Sequence, residues 1–204
     1  MINLDPGREI IGFLVRHGEL PRMDIWDSWG PYGLSEEGIK QAESAARWIS
    51  YERVGRVIAS DLPRTIQTAQ YLMDSGCVSC PFMGTDPNLR ARKVGHFEGK
   101  TKTPERVAEY KKYADDPTLV IPDGESGDQF RDRVQVAYQH LATPYNCLPT
   151  ALFLHNSVIK CLMGITDIKE ACSPGGVVAV YLDEKGEMGF EVKLGKIDME
   201  PGIS

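Results

Sequence analysis

Short apolar runs alternate along the chain with longer segments in which apolar residues recur every three or four positions. Three runs are continuous: IIGFLV at residues 10–15, VGRVIA at 54–59 and ALFL at 151–154. Continuous runs of this length are typical of strands that are buried on both faces of a parallel sheet. The alternation therefore predicts an α/β protein in which helices cover a parallel sheet.

The intervening segments carry helix signals. Between the first two runs, Ser35 is a candidate N-cap for a helix whose inward stripe consists of Ile39, Ala42, Ala46 and Ile49. A second helix is predicted after Ser60, with Pro63 in its first turn, and a third begins at Thr103-Pro104. Ser126 and Gln129 have the spacing of a capping box before a fourth helix. Residues 177–194 are predicted to form two strands that are joined by a turn.

The 204 residues fit one domain, and two stretches are long for simple connections, residues 20–34 and about 100–124. We expect both to be lids or binding loops. A hydrophobic fraction of 42% predicts a real core, and a net charge of −6 argues against a nucleic-acid-binding protein. No apolar run approaches the roughly 20 residues that a membrane span needs, so we expect no membrane partner.

Five cysteines, an odd number in a chain of this size, favour reduced thiols and a cytoplasmic location. Cys77 and Cys80 have the C-x-x-C spacing of redox and metal sites. The other cysteines are solitary, and a zinc site needs a second pair or nearby His ligands. We therefore interpret this pair as structural and expect neither metal nor redox chemistry from it.

Four cationic or titratable side chains follow the three apolar runs. Arg16 and His17 directly follow the first run, Arg64 lies in the first turn after the second, and His155 directly follows the third. Ligands of open α/β sheets bind outside the carboxyl ends of the strands. The four side chains are therefore expected to meet at one sheet edge.

Two arginines and two histidines together suit phosphoryl transfer. The planar guanidinium group binds peripheral phosphoryl oxygens, and a neutral imidazole can attack phosphorus and hold the group as phosphohistidine. The sequence contains neither a Walker loop nor an acidic cluster with metal-ligand spacing. We therefore expect a site that uses no metal, no ATP and no other cofactor.

These residues lie in motifs that resemble the histidine phosphatase superfamily, in its phosphoglycerate mutase-like branch. The resemblance runs in order from about residue 10 to residue 180. Its motifs are VRHGE at residues 15–19, LSEEGIKQA at 34–42, SDLPRTIQTA at 60–69, GHFEG at 95–99, PDGES at 122–126 and LHN at 154–156.

The resemblance implies a three-layer α/β/α sandwich with a mostly parallel central sheet, formed as a single domain over residues 1–204. It implies that His17 is the phosphorylated nucleophile and that Arg16, Arg64 and His155 complete the phosphate pocket. The backbone near Asn156 is also expected to touch the phosphoryl oxygens. The implied partner is a small phosphorylated substrate, with a phosphoprotein as the alternative.

The chain departs from the family pattern at the residue that protonates the leaving group. The family usually has a glutamate there, and this sequence has Ala91. Asp86 and Glu98 are the nearest carboxylates that could replace it. A general acid contributes about 10²–10⁴ in rate, so we expect either a substrate with a good leaving group or a substitute acid.

Two further features lie close to the motifs. Arg90, Arg92 and Lys93 form a basic stretch that is either a solvated loop or a site for a second anionic group, with Arg90 as the candidate ligand. The first long loop contains Trp26, Trp29 and Tyr32, which either pack on the body or stack on a substrate. Burial is the commoner fate of large aromatic side chains, so we expect packing.

The interpretation is a metal-independent phosphatase that works through phosphohistidine. The first alternative is a phosphomutase, which Leu20, Met23 and the short middle region make less favourable, because they differ from the mutase pattern. The second alternative is a catalytically impaired relative that binds a phosphorylated ligand, and Ala91 is the feature that supports it.

Overall fold

The computed structural model describes residues 8–76, 83–143, 145–165 and 171–195, so Cys77 and Cys80 lie outside the described residues. The strands are β1 (Glu9–Arg16), β2 (Arg56–Ala59), β3 (Met83–Thr85), β4 (Thr150–Leu154), β5 (Val177–Leu182) and β6 (Met188–Leu194). The helices are α1 (Glu36–Ile49), α2 (Pro63–Asp74), α3 (Pro104–Asp115), α4 (Gly127–Val134), α5 (Val136–Ala142) and α6 (Asn156–Leu162).

The six strands form one sheet in the order β3-β2-β4-β1-β5-β6. The pairs β3–β2, β2–β4 and β4–β1 are parallel, whereas β5 runs antiparallel to both of its neighbours. The prediction of a mostly parallel sheet is confirmed. The three apolar runs became adjacent strands at its centre, where both faces are covered and continuous hydrophobicity is required.

Helices cover both faces of the sheet. Along β1, Phe13 and Val15 face the core formed with α1 and α2, while Leu14 faces the core formed with α4, α5 and α6. Successive strand residues point to opposite faces, so one continuous apolar run supplies two cores. This arrangement is the three-layer sandwich that the family resemblance implied.

Most of the predicted helix boundaries are confirmed. Ser35 caps α1 by accepting a hydrogen bond from the Gly38 amide, and the capping box at the start of α4 is present. The prediction that Ile39 faces inward is wrong, since this side chain is exposed. The fourth predicted helix is divided at Gln135 into α4 and α5.

A close backbone contact holds the segment after β1 against the start of α1. The Ser35 amide donates to the Glu19 carbonyl at 2.9 Å. A Cβ atom on Gly18 would lie 2.2 Å from the Gly38 carbonyl oxygen, and one on Gly38 would lie 2.2 Å from the Glu19 carbonyl oxygen. Only glycine fits at either position without a backbone shift, so the pair fixes the turn that follows β1.

The two long connections contact each other. The Trp26 amide donates to the Lys100 carbonyl, the Gly99 amide to the Trp26 carbonyl, and the Lys102 amide to the Asp24 carbonyl. The second connection is partly helical, because α3 occupies its centre. No helix among the described residues is both long enough and apolar enough to cross a membrane.

Candidate active site

The sheet brings the predicted side chains together at its carboxyl edge. Strand β4 lies between β1 and β2, and the His17 amide donates to the Leu154 carbonyl at 3.0 Å. His155 follows β4, and Arg64 lies in the first turn of α2, which follows β2. Arg16, His17, Arg64 and His155 are all buried, with exposed fractions of 4%, 8%, 1% and 2%.

His17 is held as a neutral imidazole with a defined tautomer. Its Nδ1 lies 2.7 Å from the Gly18 carbonyl oxygen, which can only accept, so Nδ1 carries the proton and Nε2 keeps its lone pair. Burial lowers the pKa of His17 well below its ordinary value, and the Arg64 and Arg16 charges lower it further. At neutral pH the ring is therefore uncharged.

His155 has the opposite tautomer. Its Nδ1 accepts from Arg64 Nε at 3.3 Å, and its Nε2 donates to Ser60 Oγ at 2.9 Å. Burial and the neighbouring Arg64 charge lower the pKa of His155 well below its ordinary value. The two imidazole rings lie edge to face with their centroids 5.1 Å apart.

Arg64 binds the first long loop through backbone carbonyls. Its Nη2 donates to Ser28 O at 2.6 Å and to Asp27 O at 3.4 Å, and its Nη1 donates to Gly30 O at 3.2 Å. Burial lowers its pKa, while the Asp27 and Glu98 carboxylates raise it. Residues 27–30, which we call the cap segment, therefore contact the guanidinium group that the phosphoryl group would use.

The two predicted substrate ligands have other contacts. The Asn156 side chain accepts a hydrogen bond from the Ala171 amide at 2.9 Å. The Arg90 guanidinium donates to both carboxylate oxygens of Asp61, at 2.6 and 2.5 Å, and stacks over the Trp29 ring. The Asn156 bond uses an acceptor oxygen and leaves donors near this residue for a phosphoryl group, whereas Arg90 would have to exchange Asp61 for a substrate anion.

The carboxylates that were candidates to replace the acid at position 91 also have partners. Asp86 accepts from the Asn88 amide and pairs with His140 Nε2 at 2.9 Å. Glu98 accepts from the Ser28 amide, the Ser28 hydroxyl and the Trp29 amide. Glu98 therefore fixes the cap segment.

The aromatic side chains of the first long loop divide into two groups. Trp26 packs against Phe97 and Tyr110, with centroid distances of 5.6 and 4.5 Å. Trp29 donates from Nε1 to the Ala91 carbonyl at 2.8 Å. These two residues pack on the body, as expected, whereas Tyr32 is exposed.

Two residues of the site were not assigned a role by sequence reasoning. Ser60 directly follows the second apolar run and fixes the His155 tautomer together with Arg64, and its position just after a strand was the available signal. Asp27 has a buried side chain whose carboxylate lies 3.9 Å from Arg64 Nη1. It lies in a loop without periodicity, so the sequence carried no signal for its burial.

A metal centre has no support in the part of the chain that the structure describes. No group of three or more His, Cys, Asp or Glu side chains in these ranges is arranged to hold a metal ion. The cationic site consists of guanidinium and imidazole groups, which bind anions directly.

Known proteins were compared with the chain and its fold. Fructose-2,6-bisphosphatase TIGAR from Xenopus laevis is 36% identical over 132 residues, which are 63% of this chain and 48% of that protein. The chain thus spans about half the length of this relative. "Probable phosphoglycerate mutase GpmB" from Yersinia pestis is 31% identical over 162 residues, 74% of this chain and 72% of that protein.

Solved structures share the fold. A mycobacterial glucosyl-3-phosphoglycerate phosphatase has a TM-score of 0.71 at 18% identity, with 93% of this chain and 98% of that chain covered. Phosphoglycerate mutase from Thermus thermophilus has a TM-score of 0.65 at 24% identity, with 89% and 98% covered. The family model of the histidine phosphatase superfamily (branch 1) matches residues 13–170. The chain therefore belongs to the histidine phosphatase superfamily, branch 1.

Proposed function

We propose that the chain is a metal-independent phosphatase that hydrolyses a small phosphorylated substrate through a phosphohistidine on His17. The observation that carries this proposal is the buried, neutral His17 ring, whose Nδ1–H is bound to Gly18 O and whose Nε2 is left as the nucleophile. Arg16 and Arg64 supply positive charge beside it, as a transferring phosphoryl group requires.

The reaction has two displacements. His17 Nε2 attacks phosphorus, an N–P bond forms, and the P–O bond to the leaving group breaks as the leaving oxygen takes up a proton. Water then attacks the phosphohistidine, the N–P bond breaks, and inorganic phosphate leaves. The fixed guanidinium groups stabilise the charge on the peripheral oxygens in both steps.

A cavity beside the site supports a small-molecule substrate. It has a volume of about 590 Å³, within the usual range for ligand pockets, and it lies between α3, α4 and α6. Asn156 and Ser157, which follow His155, line it together with Trp26 and Tyr110. Its cationic lining residues are Arg92, Lys102, Lys111, Arg131 and Lys160, and no carboxylate lines it among the described residues.

This lining suits the part of the substrate that is not transferred, provided that this part carries an anionic group and some apolar surface. Aromatic side chains offer stacking area, and the cations offer charge complementarity. The free thiols of Cys147 and Cys161 support the further proposal of a reducing, cytoplasmic location.

Reversing one charge in the cavity is expected to affect only substrates that reach it. Lys111→Glu should raise KM for a bisphosphorylated sugar about 5- to 30-fold, the range that corresponds to about 1–2 kcal/mol of lost attraction. KM for 4-nitrophenyl phosphate should stay unchanged. Lys112→Glu is the matched control, because Lys112 is an exposed neighbour on α3 outside the cavity lining. Equal effects of the two variants would contradict this use of the cavity.

The proposed activity is tested with protein that has been dialysed against a chelator. We expect release of phosphate from 4-nitrophenyl phosphate and a phosphoenzyme label that is stable in base and lost in acid, as for a phosphoramidate. Loss of turnover with the chelator, or turnover without a label, would contradict the proposal. Tight vanadate binding without turnover would favour the impaired relative, and interconversion of phosphoglycerate isomers would favour the mutase.

A further inference from the structure

The Asp27 carboxylate is buried without a hydrogen bond, which is an unfavourable environment for a residue with only a structural role. Its side chain is 4% exposed, and neither carboxylate oxygen accepts a hydrogen bond from any residue that the structure describes. The Gly30 amide is close enough to lower the pKa of this carboxylate but does not reach hydrogen-bond geometry. A buried carboxylate that accepts no hydrogen bond destabilises a fold even beside a cation, and a catalytic role is one physical reason for a protein to keep such a group.

The Asp27 carboxylate lies close to the arginine of the proposed phosphate site. Its Oδ2 lies 3.9 Å from Arg64 Nη1. A phosphoryl oxygen bound to the same nitrogen at about 2.9 Å would lie within roughly 7 Å of Asp27 Oδ2, even before the cap segment moves. The Arg64 donors now bind cap carbonyls, so a phosphoryl group that displaces those carbonyls shifts the segment that carries Asp27.

Position 91, where the sequence lacks the expected acid, borders the same segment. Trp29, two residues after Asp27, donates to the Ala91 carbonyl at 2.8 Å. The other two candidates are occupied, since Glu98 accepts from cap donors and Asp86 pairs with His140. Asp27 thus has a buried side chain beside Arg64, and it belongs to the cap segment, which contacts the Ala91 carbonyl through Trp29.

We propose that Asp27 is the general acid of this enzyme, and this proposal rests on the phosphatase function proposed above. In the first step the Asp27 carboxyl transfers its proton to the leaving oxygen while the P–O bond breaks and His17 Nε2 bonds to phosphorus. In the second step the Asp27 carboxylate takes a proton from the water that attacks the phosphohistidine. The carboxyl group is regenerated, so no other proton donor is consumed.

The electrostatic surroundings of Asp27 fit this role. Burial raises the pKa of Asp27 above its ordinary value, and the Glu98 carboxylate raises it further. The Arg64 and Lys102 charges and the Gly30 amide oppose this rise without cancelling it. A raised pKa extends the protonated form to higher pH, as a general acid requires.

The test compares two substrates whose leaving groups differ in their need for protonation. Asp27→Asn should lower kcat/KM for an alkyl phosphate such as glycerol 2-phosphate by about 10²–10⁴-fold, the usual contribution of a general acid. For 4-nitrophenyl phosphate, whose leaving group needs little protonation, the loss should stay below about tenfold. In the wild type, kcat/KM for the alkyl phosphate should fall as the pH rises through the raised pKa of Asp27. In Asp27→Asn, kcat/KM for the alkyl phosphate should no longer show this fall.

Glu98→Gln is the matched control, because Glu98 holds the same segment by hydrogen bonds without the proposed proton transfer. At pH values below the pKa of Asp27, where its carboxyl is protonated with or without the Glu98 charge, this variant should change kcat/KM for both substrates by the same factor. If Asp27→Asn lowers both substrates equally and weakens vanadate binding, then Asp27 only positions Arg64 and the proposal is overturned. If the wild type fails to hydrolyse 4-nitrophenyl phosphate, the proposed function itself fails, so the two failures are distinguishable.

Discussion

Replacing His17 with alanine should lower kcat/KM for 4-nitrophenyl phosphate by about 10⁴–10⁶-fold, the size of effect seen when a covalent nucleophile is removed. The variant should also lose the acid-labile phosphoenzyme label. The reason is geometric, since Nε2 of His17 is left unprotonated by the bond from Nδ1 to Gly18 O. His155 cannot substitute, because its Nε2 donates to Ser60 and its Nδ1 faces Arg64.

Vanadate binding separates loss of chemistry from loss of the site. His17→Ala keeps both guanidinium groups, so it should still bind vanadate, although less tightly than the wild type. His140→Ala is a suitable control, because His140 is a half-buried histidine that pairs with Asp86 outside the site. It should keep its turnover within about twofold, as substitutions away from a site usually do. Residual turnover above about 1% in His17→Ala would contradict the nucleophile assignment.

The sequence predicted the scaffold well because the scaffold obeys local rules. The runs at 10–15, 54–59 and 151–154 are continuous because both faces of each strand are buried. Burial on both faces requires apolar residues at successive positions, and this pattern can be recognised in the sequence. Once the strands are parallel neighbours, the residues after them must meet. The meeting of Arg16, His17, Arg64 and His155 could therefore be predicted from the local pattern around each strand.

Contacts between side chains that are distant in the sequence were harder to predict. Arg90 was proposed as a ligand for a second anion, yet it pairs with Asp61, a residue 29 positions earlier in the sequence. Both residues lie just beyond strand ends, but the sequence gives no sign that their side chains meet. The cap segment has no periodicity, so its contacts with Arg64 could not be predicted either. Ile39 fits the helical stripe but lies at the exposed edge of the packed face.

Replacing Arg64 is expected to have the second largest effect. Arg64→Ala should lower kcat for 4-nitrophenyl phosphate by about 10³–10⁵-fold, which is the contribution of an arginine that stabilises a transferring phosphoryl group. Arg64→Lys should recover only part of this loss. Lysine keeps the charge but lacks the planar fork, and it cannot bond to His155 and to the phosphoryl oxygens together in the same geometry.

Arg64 also fixes the cap segment, so both variants should release it. The guanidinium donates to three carbonyls of that segment. Without it, these carbonyls need water molecules as hydrogen-bond donors. We expect faster proteolytic cleavage within residues 20–34 and faster amide exchange of Trp29. Arg56→Ala is the matched control, because Arg56 lies in β2 and donates to His140 O and Thr143 Oγ1, away from the cap.

The two effects of Arg64 oppose each other in substrate binding. A phosphoryl group that takes over the Arg64 donors now bonded to cap carbonyls has part of its binding free energy offset by the bonds that it breaks. Arg64→Lys should therefore raise KM less than it lowers kcat, because the weaker cap contacts are also easier to displace. A variant that lost only affinity, with kcat unchanged, would show that Arg64 binds ground state and transition state equally, and its assignment to charge stabilisation would then be wrong.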